Sequence, residues 1–405
     1  MSRRTIAFFC MSLRGHLHRI RPLVAELSAR GMAVHVFTDR QFAEEVESCG
    51  ARFEDLFAEH AVSDADAVSF PPAFRFVTFA GRFGAELVER TAKLRADLVV
   101  YDSFAIIGRL VGHRLGIPYV NVCAGHAAHP ARIAELVGQA PRFDLTRECA
   151  LQARLLSEEL GIAHAEPYAW ICSPSPFLNV YCEPPEFLDA KERAAFEPVA
   201  FFGSVDPARP RGATRQDASF PEQPGALKLY VSLGTINPTR WPQVFDAAIR
   251  EIAEQLGAMK DVQALISLAD APDPRGALAE SVARPNVRVA RYVDQWQVLR
   301  EADVFLTHHG LNSTHEAIYQ RVPMVSYACY WDQPRLARKC QQLGLALPLV
   351  PRTRDPLPPG CLREALERLR DERAAFAQHL DAARGWEERV ISERAEVAER
   401  LLALR

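Results

Sequence analysis

From one end of the chain to the other, short apolar runs of strand length pass through small polar turns into stretches whose apolar residues recur at helical spacing. Thr5 to Met11 reads as a strand, and Ser12-Leu13-Arg14-Gly15-His16 as a polar turn. Ile20, Leu23, Val24 and Leu27 then mark the buried face of a helix that Gly31 closes before Ala33 to Thr38 resumes as a strand. A strand that returns after a helical crossover lies parallel to the first, so these forty residues predict a βαβ unit and a parallel sheet. Ala96 to Asp102 and Tyr119 to Val122 continue the pattern.

The alternation breaks over residues 206–224, where Asp206-Pro207-Ala208-Arg209-Pro210-Arg211-Gly212 and Pro221-Glu222-Gln223-Pro224 read as a linker. It then restarts with strands at Lys228 to Leu233, Val262 to Leu268, Val287 to Val293, Val304 to His308, Met324 to Tyr327 and Leu345 to Val350. Two doubly wound α/β domains separated by a cleft follow, at 1–205 and 225–375, with a helical segment at 376–405 packing back on the body.

Forty-eight Lys plus Arg against 51 Asp plus Glu leave a net charge of −3, which supplies no general attraction to nucleic acid or to an anionic membrane. No run of about 18 apolar residues provides a transmembrane helix. Arg14 cuts the apolar start too early for a secretory signal. The nine cysteines form no C-x-x-C pair, so a reduced, cytoplasmic chain is expected. Monomer and dimer are equally compatible with the sequence.

Ligands of open α/β sheets bind beyond the carboxyl ends of the strands, and the polar residues there are few. His16 follows the first strand and Asp102 ends another, a pairing in which a carboxylate can orient an imidazole base; each also suits a surface turn or a helix cap. In Thr307-His308-His309-Gly310-Leu311-Asn312-Ser313-Thr314-His315-Glu316 a strand runs through a small turn into a helix. Such a helix start suits a pyrophosphate, although Ser313 and Glu316 also stand at capping-box spacing. Ser232, Gly234 and Thr235 make a second small turn at a strand end. Tyr292, Val293 and Gln295 offer an aromatic face and an amide, and Asp332 with Gln333 offers a carboxylate beside a carboxamide. Phe70, Phe74, Phe76, Phe79 and Phe83 could line an apolar pocket or belong to the core, and His126 follows another strand end.

The run from Val287 to Pro334 resembles the nucleotide-sugar signature of the family 1 glycosyltransferases, which include UDP-glycosyltransferases and bacterial macrolide-type enzymes. Tyr292-Val293-Asp294-Gln295, the stretch from Thr307 to Glu316, Val322-Pro323-Met324 and Trp331-Asp332-Gln333 carry the likeness, with Gly15-His16, Ala25-Glu26-Leu27 and Arg30-Gly31 near the start. The resemblance implies a GT-B fold, with an acceptor domain first, a donor domain second and a C-terminal helix returning to the first. It implies His16 as catalytic base and Asp102 as its partner. Tyr292 would stack on the base and Gln295 meet its edge; His308 would bond the α-phosphate. Gly310, Asn312 and Ser313 would form the helix start at the phosphates, and Glu316 would hold the ribose. Asp332 and Gln333 would hold the sugar, with Ser232, Gly234 and Thr235 near the diphosphate. The chain departs from the family pattern at Arg19, where Pro is frequent, and Arg19 with Arg21 suggests extra positive charge near the acceptor mouth.

The resulting expectation is inverting transfer from a UDP-sugar, with a dTDP-sugar as the other donor, to a hydroxyl of a small hydrophobic natural product. Neither metal nor cofactor is required. Alternatives are a non-hydrolysing UDP-sugar 2-epimerase and a sugar-nucleotide-binding partner subunit without catalysis. Asp64-Ala65-Asp66 matches the DxD pattern of metal-dependent GT-A enzymes, a three-residue pattern of low specificity.

Overall fold

The computed structural model describes residues 4–59, 72–123, 125, 147–162, 167–208, 219–269 and 276–405. The chain divides into two compact units, Met1–Ser204 together with Arg389–Arg405, and Val205–Glu388.

The first unit is built on seven parallel strands: β1 (Thr5–Phe9), β2 (Ala33–Thr38), β3 (Arg52–Asp55), β4 (Leu98–Asp102), β5 (Tyr119–Cys123), β6 (Leu178–Tyr181) and β7 (Val199–Phe201). Their order is β3-β2-β1-β4-β5-β6-β7, so the winding reverses between β1 and β4. Strands covered on both faces must be apolar throughout, and residues 6–9 and 98–102 are buried without interruption. Helix Ile106–Leu115 ends at Gly116, whose φ of 65° is the left-handed conformation that a glycine adopts without steric cost.

The polar turn expected at Ser12 to His16 is shorter than its composition suggested. Helix Arg14–Ala29 takes in Gly15 and His16, so the histidine stands in a first helical turn rather than in a loop. At the other terminus, helix Arg394–Leu402 belongs to this unit. Its Val397, Ala398 and Leu401 are buried, while Arg394 Nε donates to the Phe202 carbonyl at 3.0 Å and Arg400 Nη1 to the Val199 carbonyl at 2.9 Å.

The second unit has six parallel strands: β8 (Leu227–Ser232), β9 (Val262–Ser267), β10 (Val287–Ala290), β11 (Val304–Thr307), β12 (Met324–Ser326) and β13 (Ala346–Pro348). Their order is β10-β9-β8-β11-β12-β13, and the reversal falls between β8 and β11. Phe245, Ile249, Ile252 and Leu256, on one face of helix Pro242–Gly257, share a core with the strands and with Leu362, Leu366, Leu369 and Phe376. Among the described residues, no helix is long and apolar enough to cross a membrane.

Helix Ile106–Leu115 lies so close to the sheet that a Cβ at Gly108 would stand 2.6 Å from the Tyr101 Cβ and 2.9 Å from the Phe9 Cβ. Gly108→Val is therefore expected to cost about 2 kcal/mol of stability through overpacking, measured as a lowered urea midpoint with an unchanged slope.

Candidate active site

In the first unit, register decides what meets at the sheet edge. Phe9 of β1 pairs with Tyr101 of β4, so Asp102 ends its strand level with the turn that leads into the helix carrying His16. The His16 Nδ1 stands 2.8 Å from Asp102 Oδ1, with the carboxylate side chain 1% exposed and the imidazole 13% exposed. The Phe104 ring meets the imidazole edge to face at 4.7 Å and restricts its rotation. With Nδ1–H donated to the carboxylate, Nε2 carries the lone pair, the tautomer that a general base requires. Asp102 Oδ2 is buried and has no hydrogen-bond partner among the described residues. The alternative of a simple surface turn for His16 does not survive this geometry.

In the second unit, Thr307 of β11 pairs with Ser232 of β8, which brings the turn after each strand to one edge. The helix there is Leu311–Tyr319 with Gly310 as N-cap and no side-chain cap. The capping box read at Ser313 and Glu316 is therefore absent: the helix begins earlier, and both residues lie inside it. Ser313 and Glu316 turn instead to Gln295, the first residue of helix Gln295–Leu299. Gln295 Nε2 donates to Glu316 Oε2 at 2.8 Å, and Ser313 Oγ exchanges hydrogen bonds with the same amide at 3.2 and 3.3 Å. An amide, a hydroxyl and a carboxylate from separate parts of the chain thus form one group. Val293 is buried behind it and Tyr292 is partly exposed.

The two histidines after β11 have opposite surroundings. Part of His308 reaches the surface, but its Nδ1 is sealed, and desolvation holds its pKa down to about 4, so the ring is neutral at pH 7. Its Nε2 lies against Gly234 and Gly310, where an added Cβ at either position would collide with the ring. That close approach is what requires two glycines here. His309 has a φ of 59° and is fully buried, with Nδ1 3.2 Å from Thr314 Oγ1 and Nε2 2.7 Å from Ser326 Oγ. It pins the turn from inside, and burial lowers its pKa to about 3.

Asp332 precedes helix Gln333–Gln342 without capping it by its side chain. Gln333 Oε1 accepts from the Cys329 and Tyr330 N–H groups at 3.0 and 3.3 Å, which commits that oxygen to the loop and leaves the amide N–H groups as its donors. Trp331 between them has a φ of 60°, a strained conformation for a bulky residue. Asn312 lies in the first turn of its helix, and Thr235 is exposed after β8.

Sequence reasoning missed two further contacts. The Arg354 guanidinium lies 4.2 Å over the Trp241 ring and donates to the Cys329 carbonyl at 3.1 Å, tying the segment after β13 to the turns after β8 and β12. His315 and Glu387, both fully buried, pair at 2.5 Å and fasten helix Leu311–Tyr319 to helix Arg373–Ser392. Neither pairing has a signature in sequence spacing, because each partner lies far away in the chain.

Residues 227–354 match the profile of the UDP-glucoronosyl and UDP-glucosyl transferases. An NDP-glycosyltransferase, YjiC, of Bacillus subtilis is 23% identical over 86% of this chain and 85% of its own length. The oleandomycin glycosyltransferase of Streptomyces antibioticus is 26% identical over 85% of this chain and 79% of its own. The crystal structure of the kitacinnamycin glycosyltransferase superposes with a TM-score of 0.76 at 25% identity, covering 99% of this chain and all of the other. The chain is a glycosyltransferase of GT-B fold, and its residues 227–354 carry the UDP-glucoronosyl and UDP-glucosyl transferase profile.

The matched segment of this glycosyltransferase runs from β8 past Gln333 and so contains every residue expected at the nucleotide sugar. The candidates for the acceptor are less fully placed. Phe70, His126 and Asp64-Ala65-Asp66 lie outside the described residues, and Phe74 lies in helix Pro72–Lys93 with its side chain outside them. Phe79 is 2% exposed and packs on Phe57 and Phe83, while Phe76 reaches Phe104, the ring beside His16. Arg19 does not stand at a mouth. It is 8% exposed on the buried side of its helix.

A histidine whose folded pKa is depressed binds its proton more readily when unfolded, so its stabilisation is complete above pH 6.5 and is lost as the pH falls toward its folded value. Stability is expected to decline below pH 6.5 with a slope of up to about 1.4 kcal/mol per pH unit from His309. Urea titrations at pH 7 and pH 5 test this, and His309→Gln should flatten the dependence.

Proposed function

We propose that this glycosyltransferase moves a sugar from UDP, in preference to dTDP, to a hydroxyl of a small hydrophobic acceptor with inversion at the anomeric carbon. The observation that carries the reading is the 2.8 Å bond between His16 Nδ1 and Asp102 Oδ1 at the edge of the first sheet. His16 Nε2 takes the proton from the acceptor hydroxyl as its oxygen attacks, and the buried carboxylate stabilises the imidazolium that forms. A partner subunit without catalysis would have no need to keep this pair in hydrogen-bond reach.

On the donor side, the N-terminus of helix Leu311–Tyr319 and the His308 ring receive the diphosphate, whose charge develops as the sugar leaves. Because His308 is neutral in the free protein, it acts as a hydrogen-bond donor, and an approaching diphosphate raises its proton affinity. Glu316 accepts from the ribose hydroxyls, which favours a ribose over a deoxyribose, with Gln295 and Tyr292 at the base. At the sugar, Asp332 accepts and Gln333 donates. Stabilisation of the leaving group by dipole and imidazole supports transfer without metal or cofactor. The Phe76 and Phe104 rings beside His16 favour an apolar acceptor. Nine free thiols, seven of them buried, fit a reducing cytoplasm.

His16→Ala is expected to lower turnover of UDP-glucose with a hydroxylated aromatic acceptor by about 10²-fold or more while UDP binding persists, on the usual scale for a general base. Near-normal turnover overturns the assignment of the base. In a calorimetric titration, UDP should bind more tightly than dTDP to the wild type, and Glu316→Ala should erase the difference. Equal affinities in the wild type remove the ribose argument. Turnover should persist in excess EDTA, and its loss there would reject a metal-free transfer.

A further inference from the structure

At the carboxyl edge of the second sheet, one peptide group is held from both ends. In the turn after β12 the Tyr330 N–H donates to Gln333 Oε1 at 3.3 Å, and the carbonyl of that same peptide, belonging to Cys329, accepts from Arg354 Nη1 at 3.1 Å. A trans peptide is planar, with its N–H and C=O on opposite sides, so bonds at both ends fix its orientation. The Cys329 N–H donates to the same Gln333 oxygen at 3.0 Å, and Tyr327 Oη donates to the Asp355 carbonyl at 3.2 Å. The segment after β13 is thus joined to this turn twice, through Arg354 and through Asp355.

Arg354 has its own anchor outside the turn. Its guanidinium lies 4.2 Å over the Trp241 ring, whose buried indole N–H has no hydrogen-bond partner among the described residues, so the indole offers its face here. The Trp241 backbone N–H donates to the Asn237 carbonyl at 2.9 Å, and Asn237 Nδ2 donates to the Leu233 carbonyl at 2.6 Å. Trp241 is therefore fastened to the turn after β8, next to the Gly234 that faces His308. Through this ring Arg354 sets the β12 turn against the β8 turn.

The β12 turn needs such a hold. Trp331 has a φ of 60° and Arg354 itself one of 64°, a conformation whose cost for residues with a Cβ the surrounding contacts must offset. Asp332 and Gln333 follow Trp331 directly, and the Asp332 side chain does not cap the helix that begins there. The oxygen of the Gln333 amide is committed to the held peptide, so the direction of its N–H groups follows that of the peptide.

We infer that Arg354 is a positioning residue for the donor sugar: by fixing the Cys329–Tyr330 peptide against the Trp241 ring, it aims the Gln333 amide and steadies the turn that carries Asp332. The inference rests on the proposed placement of Asp332 and Gln333 at the sugar. Gln295, Ser313 and Glu316, proposed at the nucleoside end, bond to one another on other elements. Loss of Arg354 should therefore be felt by the sugar and not by UDP.

The test compares the dissociation constants of UDP and UDP-glucose, measured by calorimetric titration of the full chain without acceptor. Arg354→Met, which keeps the apolar stem but removes the charge and the donors, is expected to weaken UDP-glucose about tenfold and to change UDP by less than about twofold. Trp241→Leu should do the same, and it stands in where Arg354→Met does not fold. Unchanged affinity for UDP-glucose in these variants overturns the inference, as does an equal loss for UDP and UDP-glucose, which marks a role in stability alone. Asp332→Ala separates this failure from failure of the sugar site. If Asp332→Ala loses UDP-glucose affinity relative to UDP and Arg354→Met does not, the sugar site stands and the inference falls. If the wild type does not bind UDP-glucose, or Asp332→Ala leaves the two ligands in their wild-type ratio, the sugar site falls and the inference with it.

Discussion

Both units depend on the pairing of parallel strands in fixed register on either side of a reversal in winding order. At such a reversal the helices leave the sheet in opposite directions, and the carboxyl ends of two adjacent strands are left uncovered. In the first unit those strands are β1 and β4, and register sets Asp102 beside the turn that leads to His16. In the second they are β8 and β11, and the same geometry sets Ser232 beside Thr307 and the histidine turn. Slipping either pairing by one residue would reverse every side chain and separate the groups.

Placing polar groups at these edges has a conformational and electrostatic cost that the surrounding structure offsets. His309 and Trp331 adopt positive φ, unfavourable for residues with a Cβ, and His309 is held there by hydroxyls of Thr314 and Ser326. The His308 ring fits because Gly234 and Gly310 supply no Cβ on the sides it faces. The neutral state of both histidines at pH 7 follows from the same burial. In the first unit the sheet edge buries polar side chains as well, Asp102 and Glu183 among them.

Much of the fold was legible in the sequence. The strand cores needed only apolar run length, and Thr5, Val262, Val287, Val304 and Met324 open strands both in the pattern and in the structure. The ends were less legible, because a strand stops where its partner stops: β1 ends at Phe9 although the apolar run continues to Met11. The capping box at Ser313 and Glu316 failed for a related reason. Cap spacing is a local rule, and here the helix start was set by Gly310 at the sheet edge, which released both side chains to Gln295, 18 and 21 residues away.

By itself the sequence determined the class of fold, the parallel sheets and the residue types gathered at strand ends, because apolar periodicity and turn chemistry act over a few residues and need no distant partner. Only the tertiary structure decided which of those residues touch. It joined His16 to Asp102 across 86 positions and His315 to Glu387 across 72, and it turned Arg19 inward rather than toward solvent. Register, winding order and burial are properties of the packed sheet. No window along the chain contains them, and the charge on a buried group is set by neighbours that only packing supplies.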